Sequence, residues 1–171
     1  MLTCDPILTF FLCRRDISPS NILAAGGRGL LIDFHVSCQT GETDYGLPSA
    51  DASYITGKPW YRAVSLRHPT ATEGHSAATD LESLFHTLLH LASDGVAVRW
   101  KHAQGPYMEN SKLSSMTDPE TWRVNVKARC APELHAVIQQ LHDLFFPDGG
   151  PYVKDVSVDA FLDVLHSHMA G

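Results

Sequence analysis

Residues 77–92 read Ala-Ala-Thr-Asp-Leu-Glu-Ser-Leu-Phe-His-Thr-Leu-Leu-His-Leu-Ala. Wound as a helix, Leu81, Leu84, Phe85, Leu88, Leu89 and Leu91 cover most of its circumference. A helix without a broad polar face is stable only when other elements surround it. The chain is therefore expected to fold around this segment, with Leu84, Phe85, Leu88 and Leu91 among its most buried residues. Thr79 followed by Glu82 reads as a capping box at its start.

Other elements arrange themselves around that centre. Leu134, Val137, Ile138, Leu141, Leu144 and Phe145 follow helical spacing between Pro132 and Pro147. A last amphipathic helix is expected from about Ser157, with Phe161, Leu162, Leu165 and Met169 on one side. Near the front, Ile22–Leu23 and 29–34 flank Gly26-Gly27, a hairpin signature. The short apolar run Ile7–Cys13 fits strand or helix equally. Residues 94–132 are mixed, with Trp100 and Trp122 as anchors. The fold class expected is mainly α with a small β-hairpin, as a single domain over 1–171.

Bulk properties narrow the function. The 171 residues are 44% hydrophobic and 19% charged, as in a folded globular domain. A net charge of -6 leaves no broad basic excess, which argues against nucleic acid as a partner. The Ile7–Cys13 run is about a third of a membrane helix, and no basic residue precedes it as in a secretory signal. No membrane association is expected. Cys4, Cys13, Cys38 and Cys130 form no CxxC pair. A reducing, intracellular setting, cytoplasmic or nuclear, is the simpler reading.

The chemistry is concentrated in Arg14-Arg15-Asp16-Ile17-Ser18-Pro19-Ser20-Asn21-Ile22-Leu23 and in Leu31-Ile32-Asp33-Phe34-His35. A tight loop can place Asp16 and Asn21 on one side, and the hairpin can return Asp33 to the same place. Phosphoryl transfer needs such a set: a carboxylate beside the attacking hydroxyl and oxygen ligands for magnesium. Both blocks resemble the catalytic loop and metal motif of protein kinases. Thr56-Gly57-Lys58-Pro59-Trp60-Tyr61-Arg62-Ala63 resembles the end of a kinase activation segment, and Asp80-Leu81-Glu82-Ser83-Leu84 the start of the buried helix behind the catalytic loop. The wording is most similar to the fungal-type protein kinases and more distantly to the casein-kinase type. Trp100 and Lys112 stand roughly where that family has a Trp and a Lys. The resemblance covers about residues 10–146.

That resemblance implies a kinase C-terminal lobe, with the catalytic loop at 14–23, the metal motif at 33–35, the activation segment at about 36–68 and the central helix at about 77–92. It implies ATP and Mg2+ as cofactors and a protein substrate or binding partner. Asp16 would orient the substrate Ser/Thr hydroxyl and take its proton, with Arg15 beside it as a catalytic residue. Asn21 and Asp33 would bind magnesium, and Leu23 would join them in holding the nucleotide. Asp80 would accept hydrogen bonds from the loop backbone near Arg14, and Phe34 would serve as a second structural anchor in the hydrophobic spine.

The chain also departs from the pattern. Arg14 replaces the motif His, and an Arg is costly to bury without a partner. His35 replaces the Gly after Asp33-Phe34, and Ser18 stands where a Lys is common. No Glu closes the activation segment; the nearest is Glu73. The 15 residues before Asp16 hold no Gly-rich loop or strand Lys, so an N-lobe is not expected, and phosphate transfer by this chain alone should be slow or absent. Gly26-Gly27-Arg28-Gly29 reads as a turn, not a phosphate loop. Glu82, His86 and His90 share a helical face with metal-ligand spacing, but structural histidines are the better reading. Two alternatives remain: a non-catalytic pseudokinase or truncated module that binds a partner, and a small-molecule phosphotransferase. The Arg before Asp16, the Phe after Asp33 and the Asp-Leu-Glu-Ser helix argue against the latter.

Overall fold

The structure is a computed structural model that describes residues 12–39, 57–67, 75–93, 106–147 and 155–169. Residues 7–11, most of the front half of the 36–68 segment, Thr56, Glu73 and Trp100 lie outside the described residues. The described chain is mostly helical. Its main helices are α1 (Ala77–Ala92), α2 (Pro106–Thr117), α3 (His135–Phe145) and α4 (Val158–Met169). Single helical turns at Pro119–Thr121, Trp122–Val126, Lys127–Arg129 and Pro132–Leu134 link α2 to α3. Among the described residues, no helix is long and apolar enough to cross a membrane.

The expected hairpin forms, and a second small antiparallel sheet accompanies it. Strand β1 (Leu12–Cys13) pairs with β4 (Cys38–Gln39), so the tail of the apolar run is a strand. Strand β2 (Ile22–Ala25) pairs with β3 (Arg28–Leu31), with Ile22 opposite Leu31 and Ala25 opposite Arg28. Gly26 and Gly27 turn the hairpin at φ 57° and 72°. Two successive left-handed residues make the turn whose twist matches that of the strands, and glycine adopts it at no steric cost.

Helix α1 lies at the centre, but the face it buries differs from the one expected. Phe85 and Leu89 are fully enclosed, as are Glu82, His86 and Thr87. Leu84 and Leu88 are only half-buried, and Leu91 is 64% exposed beside an open apolar cleft of about 300 Å³ between α1, α3 and α4. Leu81, Leu84, Phe85, Leu88, Leu89 and Leu91 in fact occupy only about half of the circumference, and the structure buries the other half, where Asp80, Glu82, Ser83, His86 and Thr87 lie, with Phe85 and Leu89 at its edge. Partners for Glu82 and His86 lie on the side that is buried. The cap also differs. Ser76, not Thr79, is the N-cap: its hydroxyl accepts from Thr79 N–H at 3.3 Å, and Thr79 Oγ1 accepts from Ser76 N–H at 2.9 Å. Glu82 is turned inward and takes no part in it.

The core joins α1, α3 and α4 through aromatic contacts. Phe85 stacks on Phe145 at 5.9 Å, and Phe145 meets Phe161 edge-on at 6.3 Å. Trp122 is buried, as expected of an anchor, and stacks on His142 at 3.8 Å. Helix α3 begins one turn after Pro132 and buries Ile138, Leu141 and Phe145. Along α4, Phe161 is buried but Leu162 is 40% exposed, so these two do not share the inner face. Helix α2 falls within the stretch read as mixed: its sequence is polar and carries no apolar stripe, yet Lys112 is buried.

Candidate active site

Asp80 organises the site. It lies in the first turn of α1 and is nearly buried, and its two carboxylate oxygens accept the backbone N–H groups of Arg14 and, at 3.0 Å, Arg15. A buried backbone donor is costly to leave unpaired, so one side chain here fixes two consecutive peptides of a loop 65 positions away. Burial pushes the Asp80 carboxyl up to about 6, against the opposing effect of those two hydrogen bonds. Arg15 follows at φ 65°, a left-handed conformation uncommon for a residue with a side chain. The loop then turns through Pro19–Asn21, a single 3-10 turn.

Asn21 closes that turn. Its Nδ2 donates to the Asp16 carbonyl at 3.0 Å and to Asp16 Oδ2 at 3.1 Å. The amide nitrogen is thereby committed to Asp16, and the amide oxygen is left for a cation. The other carboxylate oxygen, Asp16 Oδ1, is sealed from solvent and accepts no hydrogen bond. Gly57 lies over it at φ 90°: a Cβ at this position would stand 3.5 Å from Asp16 Oδ1 and 2.8 Å from the Arg15 carbonyl oxygen. Only a glycine fits so close to the loop.

Asp33 reaches the same region through the hairpin. Ile32 N–H donates to the Asn21 carbonyl at 2.9 Å, and Asp33 follows at φ 64°. Asn21 and Asp33 thus adjoin, but the Asp33 side chain is exposed and its Oδ1 bonds to the His35 ring. That hydrogen bond is the main reason the Asp33 carboxyl lies below its ordinary range. Among the described residues, no three His, Cys, Asp or Glu side chains gather as a metal site. A magnesium ion would fit as an open one: one amide oxygen, one carboxylate, and a shell completed by phosphate oxygens and water.

Arg14 and Phe34 differ from the spine expected. Arg14 is buried, its guanidinium donates to the Ile32 carbonyl, and its Cζ sits 3.8 Å from the centre of the Phe34 ring. The cation rests on the ring's negative face, which offsets part of its desolvation. Phe34 itself is 53% exposed, so it is no buried anchor. Leu23 is 49% exposed on the neighbouring strand.

A second set of buried charges holds the segment that carries Gly57. Glu82 Oε1 accepts Val64 N–H at 2.7 Å and meets His86 Nε2 at 3.1 Å. Lys112 Nζ donates to the Arg62 carbonyl. Burial, together with the Lys112 charge, lowers the His86 pKa to about 4, so at neutral pH His86 is an uncharged structural partner of Glu82. As a site residue, Glu82 is weighed from sequence only as a metal-ligand candidate, Lys112 is placed only by family position, and Gly57 and Lys58 have no role beyond the activation-segment wording. The glycine in Thr-Gly-Lys-Pro was the one available signal, because only tertiary contacts bring the others into play. No protein-family model matches the chain, and no curated protein matches it significantly.

Proposed function

We propose that this chain is the catalytic-loop lobe of a protein kinase, acting on Ser/Thr hydroxyls of a protein substrate with ATP and magnesium. The observation that carries this reading is the grip of one buried carboxylate, Asp80, on the loop that holds Asp16 against Asn21. Phosphoryl transfer relies mostly on positioning and charge stabilisation, and this arrangement pre-positions a carboxylate. Asp16 Oδ1 is the unpaired acceptor for a substrate hydroxyl, and Asn21 orients the carboxylate through Oδ2. Asn21 and Asp33 would hold magnesium, which when bound neutralises charge on the phosphates. Leu23, exposed beside them, offers apolar contact to a nucleotide base. A free, buried Cys130 thiol suits a reducing compartment, cytoplasmic or nuclear.

A second reading, a non-catalytic module that binds a protein partner, is favoured by one feature. One oxygen of Asp33 is engaged by His35 and Asp16 Oδ1 is closed off under Gly57, so part of the acceptor set is occupied or covered in this conformation. Calorimetry separates the two. The kinase reading expects weak ADP binding that requires Mg2+ and disappears in Asp33→Asn, together with slow phosphate incorporation into a Ser/Thr substrate that disappears in Asp16→Asn. Nucleotide binding indifferent to Mg2+ and to Asp33→Asn would refute it.

A further inference from the structure

We propose that Lys58 is the cation that meets the transferred phosphoryl group, an inference that rests on the kinase reading above. During transfer, negative charge spreads over the equatorial oxygens of the moving group, and a positioned cation stabilises it. Asp16 and Asn21 supply none. Three arginines beside the loop are committed elsewhere: Arg14 is buried against Phe34 and the Ile32 carbonyl, Arg15 is half-buried with partners of its own, and Arg62 is buried under Gly57. Lys58 differs from all three. Its Nζ donates to Ser20 Oγ in an exposed contact, and Ser20 Oγ lies 3.1 Å from Ser18 Oγ. The ammonium therefore sits on the Pro19–Asn21 turn, between Asp16 and Asn21 in the chain.

Its backbone is fixed, and its head is held by one exposed contact to a neutral hydroxyl. The Lys58 carbonyl accepts Tyr61 N–H at 3.0 Å and Arg62 N–H at 3.2 Å, and the next turn is gripped by Lys112 and Glu82. Gly57, immediately before it, makes the close approach to the Arg15 carbonyl and Asp16 Oδ1. One end of the segment is thus set against the catalytic carboxylate, and the long lysine stem can sweep the space beside it. Exchanging a neutral hydroxyl for a phosphate oxygen gives a stronger, charge-assisted hydrogen bond. In the transfer step the substrate oxygen bonds to the γ-phosphorus, its proton passes to Asp16, and the bond from phosphorus to the β,γ-bridging oxygen breaks to release ADP. Lys58 stays protonated throughout and follows the phosphoryl oxygens.

The test is affinity labelling of the full chain with an acyl-phosphate ester of ATP, whose carbonyl lies next to the γ-phosphate. A nearby amine attacks that carbonyl, an amide forms, the carbonyl–oxygen bond breaks, ATP leaves and the lysine proton goes to water. Peptide mapping should place the label on Lys58, Mg2+-dependent, blocked by excess ATP and weakened in Asp33→Asn. It should fall about tenfold in that variant, as loss of one strong contact predicts. Mg2+- and Asp33-dependent labelling of another lysine would overturn the role of Lys58 and leave the kinase reading standing. Labelling of Lys58 that ignores Mg2+, ATP and Asp33→Asn would mark it as merely reactive and overturn the proposal. If no site depends on Asp33, the kinase reading fails and Lys58 fails with it.

Discussion

Helix α1 carries two buried groups whose titrations oppose each other, and this makes a sharp test of how its inner face is built. Burial raises Asp80 from 3.8 to about 6, and burial with the Lys112 charge lowers His86 from 6.5 to about 4. Between those Asp80 values the folded protein holds a proton that the unfolded chain has released, so the contribution to stability falls as pH rises. For His86 the unfolded chain holds the extra proton, so stability rises with pH across its own window and is lost as pH falls through about 4. Each span is worth about 3 kcal/mol at about 1.4 kcal/mol per unit. The two slopes nearly cancel where the windows overlap. Single variants should uncover them. Relative to the parent, Asp80→Asn should gain about 3 kcal/mol as pH climbs through the Asp80 window, and His86→Gln should lose a similar amount through the His86 window. Urea unfolding of the three proteins in small pH steps reads these differences, and subtracting the parent removes the other titrating groups. Flat difference curves, or two curves of the same sign, would refute the burial assigned to α1.

Three further outcomes are expected. Phe85→Ala should cost about 3–5 kcal/mol in chemical denaturation, since the ring is fully enclosed against Phe145 and Trp122; a cost below about 1 kcal/mol would place it outside the core. Gly57→Ala should destabilise by about 1–3 kcal/mol, because the residue sits at φ 90° and a methyl would strike the Arg15 carbonyl; amide hydrogen exchange should quicken at Arg14 to Asp16, and an unchanged loop would show that the approach is not constraining. His35→Ala should strengthen Mg2+-dependent ADP binding by releasing the Asp33 carboxylate; equal affinity in parent and variant would mean that His35 does not compete with a cation.

Several features were legible in the sequence because the information is local. Gly26-Gly27 between apolar residues dictates a tight hairpin, and the strands pair about that turn. The five-residue spacing of Asp16 and Asn21 brings the amide onto the carboxylate through one short turn. The existence of α1 followed from its length and apolar content. What it buries did not: periodicity marks the apolar half as the inner face, yet packing enclosed Phe85 and Leu89 at its edge together with Glu82 and His86 from the polar half. Those two polar groups are turned inward because Val64 N–H and the neighbouring buried charges need partners there. Helix α2 was invisible to periodicity because it has too little apolar content to mark an inner face, although Lys112 is needed inside. Arg14 looked costly to bury until the fold supplied the Phe34 ring and the Ile32 carbonyl. Gly57 and Lys58 stand some 40 positions from the loop they touch. No local rule couples residues that far apart, so only the tertiary structure could set them against Asp16 and Ser20.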